Sequence, residues 1–176
     1  MRVCVFCGSS PGNDDVYTAA ALAMGLALAE AGHGLVYGGG SVGLMGVVAD
    51  AAIAGGAEVI GVIPEGLFAR EVAHPDLTAL HEVPSLADRK LLMAELSDAF
   101  IGLPGGYGTL DELFEMITWT QLGVHDKPCG LLGVGDYWTD LVTFLEGAAT
   151  AGFIPRPLLI VDDDPGRLLG QLLLDR

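Results

Sequence analysis

The apolar residues alternate along the chain between short runs rich in β-branched residues and longer stretches with helical periodicity. Strand-like runs that are apolar throughout and separated by helices are typical of parallel strands covered on both faces. The pattern predicts seven strands, at 2–7, 34–38, 58–63, 79–83, 99–103, 129–133 and 158–161. It predicts helices between most of them, at 16–31, 43–55, 85–97, 109–122 and 138–151, with a last helix near 165–174.

These elements favour one fold class: a single-domain, doubly wound, Rossmann-like α/β fold, with a parallel sheet of about seven strands and helices on both faces. The 176 residues suit one domain covering 1–176, and no linker, low-complexity segment or internal repeat divides them. The 26 glycines fit the many tight turns between strands and helices that such a fold requires.

Charge and composition exclude some classes of partner. The net charge of −15, with only eight lysines and arginines, argues against nucleic acid, because phosphate contacts need clustered basic residues. The apolar start is too short for a signal peptide, and seven glycines interrupt the uncharged stretch 31–49, so we expect a cytoplasmic protein with no membrane partner. Cys4 and Cys7 lie three positions apart in one strand and should point to opposite faces, as buried thiols rather than a redox or zinc pair.

Three glycine-rich loops follow predicted strands: the first loop at 8–12, the second loop at 38–43 and the third loop at 104–108. Because ligands bind beyond the carboxyl ends of parallel strands, all three loops should open onto one edge of the sheet and form a site there. The second loop also matches the dinucleotide pattern G-x-G-x-x-G. That pattern usually follows the first strand, and here no second domain is present to hold a substrate for hydride transfer.

No pattern predicts a metal or a cofactor. The four histidines lack metal-ligand spacing: His33 and His125 fit turns, and His81 fits packing in a strand. His74 lies in the irregular segment 64–78, where it could reach a ligand but fits a surface position better. A Walker-type loop is missing from the sequence, and neither of its G-x-S-x-G matches, at 8–12 and 39–43, supports a hydrolase nucleophile.

Thr109 follows the third loop, and Asp111 and Glu112 come directly after it. The two carboxylates place negative charge near a predicted helix start, although helix starts usually attract anions. Thr109-x-x-Glu112 fits a capping box, in which both side chains bond to amides of the first turn. That would explain Glu112 but not the preceding glycines, which leave room for a ligand against the backbone. A carboxylate facing the positive charge that develops on a sugar ring would suit cleavage of a sugar phosphate derivative.

Arg89 and Lys90 adjoin each other in a predicted helix and are the only basic residues between positions 70 and 127. Ser85 with Asp88 resembles a capping box that begins this helix. The two cations fit a solvated helix face, but a protein this acidic that binds an anion must concentrate its few cations nearby. The pair is therefore the candidate for contact with an anionic substrate.

Residues 88–128, DRKLLMAELSDAFIGLPGGYGTLDELFEMITWTQLGVHDKP, resemble the LOG family, the cytokinin riboside 5′-monophosphate phosphoribohydrolases. The family's signature is a P-G-G-x-G-T-x-x-E segment preceded by an Arg-Lys pair on a helix, and the likeness covers most of the chain. Many relatives were once labelled lysine decarboxylases. That label fits poorly with a chain this short, whose only lysines are Lys90 and Lys127.

The resemblance implies hydrolysis of the N-glycosidic bond of adenine-type nucleoside 5′-monophosphates, either cytokinin riboside 5′-monophosphates or AMP, to free base and ribose 5-phosphate. It implies that Arg89 and Glu112 are catalytic and that no cofactor is needed. The positions that it implies for substrate binding are Glu71, Lys90, Gly105, Gly106, Tyr107, Gly108, Thr109 and Thr118. On this basis Glu112 would stabilise the oxocarbenium-like sugar, Arg89 would contact the nucleotide and the departing base, and Lys90 would add positive potential.

The predicted helix 109–122 is apolar almost all round, which indicates burial on more than one side. Either the domain itself or a partner subunit would cover it, and the family's homodimers, with sites near the subunit interface, favour the partner. A non-hydrolytic carrier of a nucleotide or of molybdenum cofactor on the same scaffold is the alternative function. The presence of Arg89 and Glu112 favours the enzyme.

Overall fold

The computed structural model of the protein describes residues 1–65 and 73–174. Within them, the predicted elements are confirmed, with bounds that differ by no more than two residues. In chain order they are β1 (Arg2–Phe6), α1 (Asp15–Glu30), β2 (Gly34–Tyr37), α2 (Gly43–Ala54), β3 (Val59–Pro64), β4 (Ala79–Val83), α3 (Leu86–Leu96), β5 (Ala99–Gly102), α4 (Tyr107–Gln121), β6 (Cys129–Leu132), α5 (Thr139–Thr150), β7 (Leu159–Asp162) and α6 (Pro165–Leu174).

In the described part of the chain, the seven strands form one parallel sheet in the order β4-β3-β2-β1-β5-β6-β7. Val3 in β1 pairs with Leu35 on one side and with Ala99 on the other. The chain therefore winds outward in two directions from β1, which confirms the doubly wound fold. In this topology the crevice between β1 and β5 is the switch point where ligands bind.

Two apolar layers cover the two faces of the sheet, because successive side chains of a strand point to opposite sides. One layer contains Val3 and Val5 and packs under α1 and α2, and the other contains Cys4 and Phe6 and packs under α3 and α4. Cys7 belongs to the first layer, so the prediction that the two thiols face opposite ways is confirmed. Burial raises the pKa of both thiols well above its ordinary value, and it raises the pKa of Cys129 to about 12. None of the helices described is both long and apolar enough to cross a membrane.

Helix α4 begins two residues earlier than predicted. Its N-cap is Gly106, at φ −100° and ψ −147°, and the N–H of Leu110 donates to the Gly106 carbonyl at 3.1 Å. Thr109 is therefore the third residue of the helix and Glu112 lies in its second turn, so the predicted capping box between them is wrong. Ser85 is confirmed as the N-cap of α3: its hydroxyl accepts from the N–H of Asp88 at 3.1 Å and donates to Asp88 Oδ2 at 2.6 Å.

Candidate active site

The three glycine-rich loops meet at the carboxyl edge of the sheet, as expected from parallel strands. The N–H of Gly8 donates to the Pro104 carbonyl at 3.0 Å, and the N–H of Leu44 donates to the Gly8 carbonyl at 3.1 Å. Gly43, at φ +62°, packs so closely on the backbone of Ser9 that a Cβ would collide with it. The first loop is thus bonded to or packed against both others.

A cavity of about 390 Å³ lies at the switch point, between the first and third loops. Its wall consists of residues 8–13, Tyr17, Leu44, residues 104–106 and Tyr137. Its volume is within the range of about 300–1,000 Å³ that is usual for small-molecule sites. The cavity can therefore hold a substantial part of a nucleotide.

Helices α2 and α4 begin at this edge without a side-chain cap, from Val42 and Gly106 respectively. By contrast, Asp14 caps α1 through a 3.0 Å bond from the N–H of Val16, and Ser85 caps α3. Because uncapped first-turn amides attract negative charge, the start of α4 beside the cavity can bind an anion such as phosphate.

The glycines of the third loop serve different purposes. A Cβ on Gly105 would collide with the buried Thr109 side chain and lie 2.9 Å from the Gly8 nitrogen, so packing requires a glycine there. Around Gly106 and Gly108, no described heavy atom lies within 4 Å of an added Cβ. These two positions leave open space beside the start of α4, and Tyr107 between them is almost fully exposed.

The two residues that the family resemblance implies to be catalytic lie next to each other. Arg89 on α3 is only 6% exposed; its Nε donates to the Val62 carbonyl at 3.1 Å and its Nη2 to the Gly38 carbonyl at 2.9 Å. Its Nη1 lies 3.9 Å from Oε1 of Glu112 on α4, whose side chain is 16% exposed. The site therefore holds a fixed cation beside a largely buried carboxylate.

Gly38 is a site residue that the sequence reasoning missed. A Cβ there would collide with Nη2 of Arg89, so the close approach of the guanidinium requires a glycine. The available signal was the glycine run directly after β2, which we interpreted as a possible dinucleotide pattern. In the structure, the first glycine of that run accommodates Arg89.

Lys90 is turned toward α4. Its Nζ lies 2.9 Å from Asp111 Oδ2 and 2.8 Å from Glu115 Oε2. The hydrogen bond to Glu115 is the main cause that raises the pKa of Lys90. Lys90 thus joins α3 to α4 and accounts for the presence of Asp111, while its contact with a nucleotide stays a prediction.

One further predicted binding residue, Thr118, is not brought to Arg89 and Glu112. Thr118 lies six positions beyond Glu112, on another face of α4, where its hydroxyl donates to the Phe114 carbonyl at 2.7 Å. It is exposed and lines a groove between α4 and α5. Glu71 lies outside the described residues.

His74 is buried, not on the surface as predicted. Its Nδ1 accepts from the N–H of Asp76 at 3.2 Å, so Nε2 carries the proton and donates to Asp50 Oδ1 at 3.0 Å. Its backbone N–H donates to the Gly39 carbonyl at 3.0 Å. His74 therefore binds the end of the irregular segment to the second loop.

Fold and site together define the class: a Rossmann-like α/β protein with an uncapped helix start and a buried arginine–glutamate pair at the carboxyl edge of its sheet. The model of a family described as "Possible lysine decarboxylase" matches residues 45–171. Relatives in Arabidopsis thaliana are named cytokinin riboside 5′-monophosphate phosphoribohydrolases, and a rice relative is named a probable one. The chain belongs to this family, the LOG family.

An Arabidopsis thaliana relative is 52% identical over 174 residues, which cover 97% of this chain and 80% of the relative. A second Arabidopsis relative is 52% identical over 153 residues, which cover 87% of this chain and 72% of the relative. A rice relative, named as a probable enzyme of this kind, is 53% identical over 156 residues. That match covers 89% of this chain but 63% of the rice protein, so the chain spans less than two thirds of that relative.

Solved structures share the fold at lower identity. The molybdenum cofactor carrier protein of Chlamydomonas reinhardtii has a TM-score of 0.76 at 20% identity, with 99% of this chain and 98% of that chain covered. The molybdenum cofactor binding protein of Rippkaea orientalis has a TM-score of 0.72 at 18% identity, with 98% and 95% covered. At these identities the likeness shows the fold alone.

The lysines do not fit the decarboxylase description that the family model prints. Lys90 is engaged by two carboxylates, and Lys127 donates to the Ala94 carbonyl at 2.7 Å near the opposite edge of the sheet. A Schiff base with pyridoxal phosphate needs a lysine amine directed into the site. Neither lysine is placed for that role at the described cavity.

Proposed function

We propose that the protein hydrolyses the N-glycosidic bond of adenine-type nucleoside 5′-monophosphates, AMP or cytokinin riboside 5′-monophosphates, and releases free base and ribose 5-phosphate. The observation that carries the proposal is the buried Arg89–Glu112 pair beside the glycine loop that begins α4. The names of the relatives, at about half identical residues over most of this chain, support the same reaction.

In this mechanism the amides at the start of α4, including that of Thr109, bind the 5′-phosphate. A water oxygen bonds to the anomeric carbon of the ribose, while the bond to the base nitrogen breaks and its electron pair leaves with the base. The water gives up one proton and the base takes one up. Glu112 stabilises the positive charge on the sugar, and Arg89 holds Glu112 in place and contacts the nucleotide.

The direct test is to incubate the protein with AMP and with isopentenyladenosine monophosphate, and to measure free base by chromatography. Glu112→Gln should lower kcat by about 100-fold or more, because the positioned charge is lost while the side-chain volume is kept. Glu95→Gln, on α3 and exposed near the opposite edge, is the matched control and should keep the parent rate. Base release by Glu112→Gln at the parent rate contradicts the assignment.

The carrier function is the competing outcome of the same assay. Fold likeness to the molybdenum cofactor carriers does not favour it, since it rests on about one fifth identical residues. Binding of AMP with no release of base by the unaltered protein would favour a carrier. Comparison of kcat/KM for the two nucleotides would then rank the substrates of the enzyme.

We also propose that two copies form a homodimer through the face that α4 and α5 present. Within the described residues, α5 has no buried residue, and Phe144 and Phe153 are 70% and 84% exposed. A groove of about 160 Å³ between the two helices is lined by Phe114 and Leu145. Exposed aromatic residues beside an apolar groove mark a protein interface.

A second copy on this face would also cover Thr118, which explains how a residue remote from Glu112 in its own chain could contact a substrate. Sedimentation at micromolar concentration should give a dimer for the unaltered protein and a monomer for Phe144→Glu. A monomer for the unaltered protein would contradict the homodimer.

A further inference from the structure

Tyr137 lies outside the sequence motifs of the site, yet its side chain reaches the third loop. It lies in the turn between β6 and α5, and its hydroxyl donates to the Gly105 carbonyl at 2.5 Å. The two residues are 32 positions apart and both line the cavity at the switch point. A side chain from one loop therefore holds the backbone of another at the proposed phosphate site.

The carbonyl that Tyr137 holds differs from its neighbours in the third loop. The Pro104 carbonyl accepts from the N–H of Gly8, and the Gly106 carbonyl accepts from the N–H of Leu110, so backbone donors fix both. The Gly105 carbonyl accepts from the Tyr137 hydroxyl instead. Its peptide lies between two glycines, where rotation meets least resistance.

The orientation of this peptide matters to an anion. In a trans peptide the carbonyl and the N–H point in opposite directions, so holding the Gly105 carbonyl also fixes the N–H of Gly106. A carbonyl oxygen turned toward a phosphate would repel it, whereas amides at a helix start attract it. A hydroxyl that captures the carbonyl keeps the loop in the arrangement that suits the anion.

The Tyr137 ring is itself fixed by its neighbours. Its centroid lies 4.7 Å from that of the buried Trp138 at 90°, and 5.5 Å from that of Tyr17 at 73°. Edge-to-face contacts of this kind restrict ring motion. Tyr17 in turn packs on Gly12 of the first loop, where a Cβ would lie 2.6 Å from its ring. Tyr137 thus connects both walls of the cavity.

We propose that Tyr137 is a positioning residue of this site, whose hydroxyl fixes the peptide between Gly105 and Gly106 for binding of the substrate's 5′-phosphate. The inference rests on the proposed function, because it concerns the phosphate of that nucleotide. It adds a residue that neither the family motif nor the predicted site contains.

Tyr137→Phe keeps the ring and removes only the hydroxyl. The KM for AMP should rise about five- to tenfold with kcat changed by less than about threefold, because the phosphate is bound alike in the ground state and the transition state. The inhibition constant of inorganic phosphate should rise by the same factor, which a loss of general stability would not produce. Tyr37→Phe is the matched control, since among the described residues the buried Tyr37 hydroxyl has no hydrogen-bond partner.

Calorimetric binding of AMP to the Glu112→Gln protein, with and without Tyr137→Phe, separates this inference from the proposed reaction. If the parent enzyme releases no base, the proposed reaction fails, and a weaker AMP affinity with Tyr137→Phe still supports the inference. Unchanged affinity for both AMP and inorganic phosphate overturns the inference, whatever the parent enzyme does. Tyr137→Leu tests the ring: if Leu weakens phosphate binding and Phe does not, packing rather than the hydroxyl is responsible and the inference is wrong.

Discussion

Two arginine–glutamate pairs lie at opposite edges of the same sheet, and their surroundings differ more than their chemistry. At the amino edge, Arg2 contacts Glu58 through two bonds of 2.8 Å and 3.0 Å, with side chains 41% and 42% exposed. At the carboxyl edge, Arg89 and Glu112 are 3.9 Å apart but only 7% and 16% exposed. The shorter pair is the one that water and salt screen more strongly.

Neither the distance within an ion pair nor the size of the cavity beside it identifies the proposed active site. A cavity of about 630 Å³ lies at the amino edge around Arg2 and Glu58, larger than the 390 Å³ cavity between the glycine loops. Its Arg2 and Glu58 side chains are exposed and paired with each other. At the carboxyl edge, two backbone carbonyls hold the Arg89 guanidinium away from water, and a fixed charge in such a place can stabilise a transition state.

The largest effect is expected when the buried pair is broken. Arg89→Ala should lower kcat/KM for AMP by about 100-fold or more, because the fixed charge that orients Glu112 is gone. It should also lower the free energy of unfolding by about 3–5 kcal/mol, since Glu112 is left buried without its cation. Arg2→Ala is the matched control at the amino edge and should leave kcat/KM unchanged. If Arg89→Ala leaves kcat/KM unchanged, the contrast between the two edges has no functional meaning.

A smaller change at the same pair should come from Gly38→Ala. The added methyl group would occupy the place of Arg89 Nη2, so the guanidinium must leave the Gly38 carbonyl. Loss of this charged hydrogen bond should lower the free energy of unfolding by about 1–3 kcal/mol, and kcat/KM by about tenfold. Urea denaturation and steady-state kinetics measure the two effects.

The control for that substitution is Gly170→Ala, in α6, where an added Cβ has open space and helix formation favours alanine. It should be neutral or slightly stabilising. Equal behaviour of the two variants would mean that Arg89 is not confined by Gly38.

The fold could be predicted because its determinants are local. Apolar runs bounded by glycine mark strands that are covered on both faces, and helical periodicity marks the elements between them. The convergence of the glycine loops follows from parallel strands alone. The start of α4 was misplaced because Thr109-x-x-Glu112 matches a capping pattern, while the packing of Gly105 on Thr109 is tertiary.

The parts of the site that could not be predicted depend on partners distant in the chain. Gly38 and Arg89 are 51 positions apart, and nothing near either residue indicates the other. His74 likewise bonds to Asp50, 24 positions away on α2. No residue next to His74 carries a signal for that contact.

Lys90 offers an intermediate case between the two edges, because its side chain is 16% exposed and its charge is shared by Asp111 and Glu115. Lys90→Met keeps the length of the side chain but leaves two carboxylates one turn apart on α4. The free energy of unfolding should fall by about 1 kcal/mol, with a smaller loss of kcat/KM than for Arg89→Ala. Adding Glu115→Gln to Lys90→Met should recover part of the lost free energy of unfolding. If the losses from the two single substitutions simply add in the double variant, Lys90 and Glu115 do not link α3 to α4.

The smallest effect is expected at the exposed pair, where it should also depend on pH. The hydrogen bond from Arg2 lowers the pKa of Glu58 below its ordinary value. Because the folded-state pKa is depressed, the stabilisation is present above the unfolded-state pKa of about 4.3 and is lost as the pH falls through the folded-state pKa. The difference in urea midpoint between the parent and Arg2→Gln should therefore be present at neutral pH and shrink in acid or in 1 M salt. A difference that persisted in acid and in salt would mean that Arg2 acts through packing, and the amino-edge pair would then resemble the buried pair more than its exposure indicates.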